Sequence, residues 1–141
     1  MKLTKHASVW QLAGGVPVYV PLDPSHWSLN MDKFMKSCNA RTKAVVLNSP
    51  HNPTGKVFIK EELEVIAGAC GKMNCFAITD EVYKYITYDD HKHICLASLP
   101  GMRERTIVTS SLSKTFSVTG SNKKLWLSNL IFFTSIRNKN H

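Results

Sequence analysis

Lys114 is a single cation in a run of small and hydroxylated residues, Ser110-Ser111-Leu112-Ser113-Lys114-Thr115-Phe116-Ser117-Val118-Thr119-Gly120. The apolar run Thr106-Ile107-Val108-Thr109 comes just before it. A strand ending there would hold the amine at its carboxyl end, the place where open α/β sheets bind ligands. Hydroxyls and backbone N–H groups of a Ser/Gly loop can receive a phosphate. Lys114 is therefore a solvated loop lysine, a phosphate clamp, or the amine that forms a Schiff base with pyridoxal phosphate.

Two other apolar runs end in polar loops. Thr42-Lys43-Ala44-Val45-Val46-Leu47 leads to Asn52, and Cys75-Phe76-Ala77-Ile78-Thr79 leads to Asp80 and Tyr83. Each side chain suits one need of a bound pyridoxal ring. Asp80 beneath the pyridine nitrogen would keep it protonated and make the ring an electron sink. Asn52 and Tyr83 could donate hydrogen bonds to the phenolic oxygen and lower the basicity of the imine. Ser111, three residues before Lys114, could bind the phosphate. Taken singly, Asp80 is equally a cap, Asn52-Pro53-Thr54-Gly55 a turn, and Tyr83 ordinary packing. His51, His91 and His93 read as loop residues, and no metal site is expected.

These groups converge only if the strands run in parallel. The centres of the three runs, near Val46, Ala77 and Val108, lie 31 residues apart each time, the length of a βα unit. Thr42 to Leu47 does not alternate, which suits a strand buried on both faces of a parallel sheet. Ile59 to Met73 is the best helix, with Leu63, Ile66, Ala67 and Cys70 at helical spacing, Glu61 and Glu62 early and Lys72 late. A shorter helix is expected over Met31 to Ser37 with Asn30 as its N-cap. Val16-Pro17-Val18-Tyr19-Val20 reads as a strand, Pro21 to Leu29 as a loop, Tyr85 to His93 as irregular, and Leu96 to Leu99 as a helical turn. Leu125 to Ile136 is apolar but too short and too interrupted to span a membrane.

The 141 residues are 43% apolar and 20% charged, enough for a domain with a real core. The net charge of +8 raises the question of nucleic acid. Residues 8–120, however, hold twelve basic and ten acidic side chains and so carry only +2. The excess sits at the two ends and makes no stripe, so no nucleic-acid partner is expected. Cys38, Cys70, Cys75 and Cys95 form no C-x-x-C pair, as in a reduced intracellular protein. Met1–Ser8 is basic but is followed by no apolar signal core, and a cytoplasmic location is expected.

Asn48-Ser49-Pro50-His51-Asn52-Pro53-Thr54-Gly55-Lys56, Asp80-Glu81-Val82-Tyr83 and Ser111 to Gly120 together resemble the class I/II aminotransferases of the fold-type I pyridoxal-phosphate family. Leu99-Pro100-Gly101-Met102-Arg103-Glu104-Arg105-Thr106 strengthens a likeness to its kynurenine–oxoglutarate and plant methionine aminotransferase branch. The resemblance implies Lys114 as the Schiff-base lysine, Asp80 on the pyridine nitrogen, Asn52 and Tyr83 on the phenolic oxygen, and Ser111 on the phosphate. It implies transamination between an aromatic, kynurenine- or methionine-type amino acid and a 2-oxoacid, in a homodimer. The fold it implies is α/β: part of a three-layer α/β/α sandwich with mostly parallel strands, the aminotransferase large domain.

The likeness runs over residues 12–120, between a divergent end at 1–11 and an unrelated basic and apolar tail at 121–141. Where the family continues with Trp and a cation, this chain has Ser121 and Asn122, with Lys123 one place out of register. The phosphate loop upstream and the carboxylate-binding arginine downstream have no counterpart. The expectation is an internal piece that binds cofactor weakly and turns over little. A non-catalytic α/β fragment and a different pyridoxal reaction, such as cysteine-conjugate β-elimination, are the competing readings.

Overall fold

The computed structural model describes residues 14–111. They belong to two compact units, divided after Cys38.

In the first unit, residues 16–20 form no strand, contrary to the sequence expectation. Val16 is 88% exposed, and Pro17 removes one of the few backbone donors a strand could use. β-Propensity without a pairing partner does not make a strand. A turn follows in which the Asp23 carboxylate accepts from the Ser25 N–H at 2.8 Å. Helix α1, Met31–Ser37, begins where the cap predicts: the Asn30 side chain accepts from the Lys33 N–H at 2.8 Å.

The second unit contains strand β1 (Ala44–Asn48), helix α2 (Lys60–Met73), strand β2 (Phe76–Asp80) and strand β3 (Thr106–Thr109). Two short 3-10 turns, Leu96–Ser98 and Arg103–Arg105, lie between β2 and β3. The sheet order is β1-β2-β3, and both pairings are parallel. Val46 pairs with Ile78, and Ile78 with Ile107, close to the equal spacing read from the sequence.

Helix α2 packs on the sheet through Leu63, Ile66, Ala69 and Cys70. Asn74, in the left-handed conformation at φ 48°, caps it and donates to the Gly71 carbonyl. Arg105 Nη1 reaches the Cys70 and Cys75 carbonyls at 3.3 and 3.4 Å, tying the helix end to the start of β3. A cation there also suits the helix dipole.

The two sheet faces differ. Leu47, Ala77 and Thr79 are buried, whereas Val46 and Phe76, on the opposite side of the pleat, are 49% and 46% exposed. Burial of the strands on both faces is therefore not what the described residues show. The unbroken apolar runs encode a second face that the described part of this unit leaves open.

The loop from β1 to α2 is fixed by a buried ion pair. Lys56 Nζ lies 2.8 Å from Glu62 Oε2, with side chains only 11% and 3% exposed. Glu62 Oε2 also accepts from the Ile59 N–H at 3.1 Å, the side-chain half of a capping box. Removing one member of such a pair strands a buried charge, which costs about 3–5 kcal/mol. Lys56→Met should accordingly lower the urea midpoint sharply. The double variant Lys56→Met/Glu62→Leu should recover much of the loss, and equal midpoints for Lys56→Met and the parent chain would refute the pair's role.

Candidate active site

The three strands end side by side, with Asn48 paired to Asp80 and Asp80 to Thr109. The loop after β1 folds back tightly: Gly55 N–H donates to the His51 carbonyl and His51 N–H to the Lys56 carbonyl, both at 2.8 Å. Gly55 sits at φ 73°, where a side chain would be strained. His51 Nδ1 and Thr54 Oγ1 are 2.8 Å apart, and burial pushes the His51 imidazole below its ordinary pKa.

This loop delivers Asn52 to Tyr83. Asn52 Nδ2 donates to the Tyr83 hydroxyl at 3.2 Å, although the residues are 31 apart in the chain. Asp80 is half-buried at the end of β2, and its Oδ1 accepts from the Val82 N–H at 3.2 Å. That is an Asx-type bond within a turn; no helix follows for it to cap. Its second oxygen has no hydrogen-bond partner among the described residues. Ser111 is half-buried, two residues beyond the last residue of β3. Lys114 lies outside the described residues, as do Ser121, Asn122, Lys123 and the run Leu125 to Ile136. Four of the five expected site residues are thus described, all at the carboxyl ends of β1, β2 and β3. One pair, Asn52 and Tyr83, is in direct contact.

The sequence reading missed two features. Asn48 bridges the first two strand ends: its Oδ1 accepts from the Asn52 N–H at 2.7 Å, and its Nδ2 donates to the Asp80 carbonyl at 3.0 Å. A polar residue closing an apolar run, one register step from Asp80, was the available signal. The second feature is Glu81, read only as part of a motif. It is 3% exposed and accepts from Thr79 Oγ1 at 3.1 Å and from His93 Nε2 at 3.0 Å. A carboxylate only accepts, so this geometry puts a proton on Nε2. His93, expected as a loop residue, has a side chain only 9% exposed, and its Nδ1 has no hydrogen-bond partner among the described residues. Among the described residues no three His, Cys, Asp or Glu side chains cluster in a way that could hold a metal.

Residues 4–121 match the family Aminotransferase class I and II. The chain belongs to this aminotransferase family. It is 47% identical over 120 residues to kynurenine–oxoglutarate transaminase 3 of Rattus norvegicus, covering 78% of this chain and 26% of that protein. It is 48% identical over 110 residues to an aspartate aminotransferase of Pyrococcus abyssi, covering 77% of this chain and 28% of the relative. Its fold superposes on an aromatic aminotransferase from Pyrococcus horikoshii with a TM-score of 0.79 and 44% identity, covering 84% of this chain and 32% of that one. The chain thus spans between a quarter and a third of the length of these aminotransferases.

Burial alone would raise the Glu81 carboxyl. Hydrogen bonds from His93, Cys95 and Thr79, together with the charge of His93, outweigh burial and hold it below the usual carboxylate range. The same contact and burial push the Cys95 thiol up. A carboxyl with a lowered folded-state pKa stabilises the fold fully above its unfolded pKa and loses that contribution as pH falls through the folded one. The urea midpoint should therefore fall as the solution is acidified through and below the ordinary carboxylate range. Glu81→Gln should flatten that slope while lowering stability near neutrality. An acid limb as steep in Glu81→Gln as in the parent would rule Glu81 out as its source.

Proposed function

We propose that this segment carries the ring-contacting part of a pyridoxal-phosphate site and serves transamination between an amino acid and a 2-oxoacid. The observation that supports this most directly is the Asn52–Tyr83 contact beside Asp80, at the carboxyl edge of a parallel sheet. Two side-chain donors, together with a carboxylate oxygen that has no partner among the described residues, suit a ring with a phenolic oxygen and a protonatable nitrogen. When bound, pyridoxal phosphate supplies an electron sink for the carbanion of an amino acid.

In this reading Asp80 holds a proton on the pyridine nitrogen through its open oxygen. Asn52 Nδ2 and the Tyr83 hydroxyl donate to the phenolic oxygen, and the Ser111 hydroxyl binds a phosphate oxygen. Lys114 Nζ would hold the cofactor covalently; once the substrate amine has displaced it, the freed amine would take the proton from the substrate Cα as a general base and deliver it to the cofactor carbon as a general acid. Lys56, in the loop after β1, is held by Glu62 and unsuited to the role. The substrate side chain is proposed as aromatic, kynurenine-like or methionine-like. Relatives named for kynurenine and for aspartate share this segment at nearly equal identity, so the segment carries their shared chemistry. A homodimer in a cytoplasmic setting completes the reading; its support is the family and the four free cysteines.

Pyridoxal phosphate incubated with the purified chain, reduced with borohydride and mapped by peptide should leave its label on Lys114 and lose it in Lys114→Ala. A label on Lys56 or Lys123 instead would sink the assignment. Losing one member of a buried charge pair costs about 3–5 kcal/mol, so Asp80→Ala should slow any transamination by about two to four powers of ten with its circular dichroism unchanged. Near-normal rates in that variant would remove Asp80 from the site.

A further inference from the structure

We infer that Asn48 is a positioning residue of this site: it sets the Asn52–Tyr83 pair against the end of β2, where Asp80 stands. The inference rests on the proposed cofactor site and adds to it a residue that does not itself touch the ring.

Asn48 is the last residue of β1, half-buried, in register with Asp80. Its side chain uses both ends of its amide on two different segments. Oδ1 takes the Asn52 N–H at 2.7 Å, and Nδ2 gives a hydrogen to the Asp80 carbonyl at 3.0 Å. The two partners fix the orientation of the amide, because a backbone N–H needs an acceptor and a carbonyl needs a donor. The Asn52 bond spans four residues and the Asp80 bond thirty-two. The first folds the loop back onto the strand that launches it, and the second ties that strand end to β2. Asn52 then reaches Tyr83, whose turn begins at the Asp80 carboxylate through the Val82 N–H. The Asn52 loop and the Asp80–Tyr83 turn are thus linked by hydrogen bonds from Asn48 Nδ2 and the neighbouring Ser49 N–H to the Asp80 carbonyl, at 3.0 and 3.1 Å, and by the Asn52–Tyr83 bond.

No other side chain of similar size replaces both arms. Aspartate keeps the acceptor for Asn52 and loses the donor to Asp80; serine is too short to span the gap; alanine loses both. Asn48→Asp and Asn48→Ala therefore separate the two arms.

The test uses the full chain in two arms. Without cofactor, amide hydrogen exchange reads the Asn52 N–H directly. One hydrogen bond corresponds to about a five- to tenfold change. Asn52 should exchange about that much faster in Asn48→Ala and nearly as in the parent in Asn48→Asp. With pyridoxal phosphate, absorbance titration reads affinity and the position of the bound-cofactor band. Asn48→Ala should weaken binding about five- to tenfold and move the band in the same direction as Asn52→Ala. The double variant Asn48→Ala/Asn52→Ala should bind no worse than Asn52→Ala alone, because the first residue acts through the second. Unchanged Asn52 exchange in Asn48→Ala overturns the positioning role whatever the cofactor does. Faster exchange with unchanged affinity, or fully additive losses, also overturns it. A parent chain with a protected Asn52 amide that takes up no cofactor refutes the site reading instead.

Discussion

The carbonyl oxygen of Asp80 receives two hydrogen bonds from the strand beside it, one from the Ser49 N–H and one from Asn48 Nδ2. At that point the parallel ladder stops and the loops begin. A ladder's last residues normally fray, because each further pair adds little once the chains diverge. Here the divergence is delayed: Glu81 N–H still donates to the Thr109 carbonyl at 2.8 Å, and Thr109 Oγ1 donates to the Thr79 carbonyl at 3.0 Å. Three strand ends are held together one residue past the start of the proposed site. A side chain that must contact a flat ring needs its backbone fixed to a fraction of an ångström. This region fixes it with main-chain bonds from Ser49 and Glu81 and side-chain bonds from Asn48 and Thr109.

Below the loops lie a buried ion pair and a buried carboxylate–imidazole hydrogen bond. Lys56–Glu62 closes the β1–α2 loop against the start of the helix, and Glu81–His93 closes the long β2–β3 connection against the end of β2. A buried ion pair adds little net stability over an apolar replacement, but it penalises every arrangement in which its partners separate. That suits connections with little regular structure. Between β2 and β3 there is no α-helix to carry the chain, only two 3-10 turns. The bond from Glu81 to His93 spans twelve residues of it.

Local signals made much of this legible. Asn30 as a cap, the Leu63–Ile66–Cys70 stripe and the equal spacing of three apolar runs each rest on short-range rules, and α1, α2 and the parallel sheet follow them. Because parallel strands point one way, Asn52, Asp80, Tyr83 and Ser111 could be placed on one edge before any coordinate. Val16 to Val20 failed because a strand needs a partner, which its own sequence does not supply. Glu62, Glu81 and His93 were passed over for the opposite reason. Their partners are six and twelve residues away through irregular chain, where no periodicity links them. Asn48 hid in plain view as the end of a strand; only the register that sets it beside Asp80 gives it a second function.

Asp80 and Glu81 are adjacent carboxylates with opposite fates, and the pleat is the reason. Successive side chains of a strand point to opposite faces. Glu81 follows Thr79, its hydrogen-bond partner two residues back, onto the face that α2 covers. Asp80 follows Phe76 and Ile78 onto the open face, together with Val46 and Asn48 from β1. On the covered side a charge survives only if it is saturated, and Glu81 is, with donors from Thr79 and His93 and a lowered pKa. On the open side a carboxylate can keep one oxygen uncommitted at little cost, as Asp80 does among the described residues. A one-residue shift of register in β2 would exchange these roles, burying Asp80 and exposing Glu81. The contacts that fix the register, Asn48 to Asp80 and Thr109 to Thr79, therefore also decide which of the two carboxylates is available to a ligand.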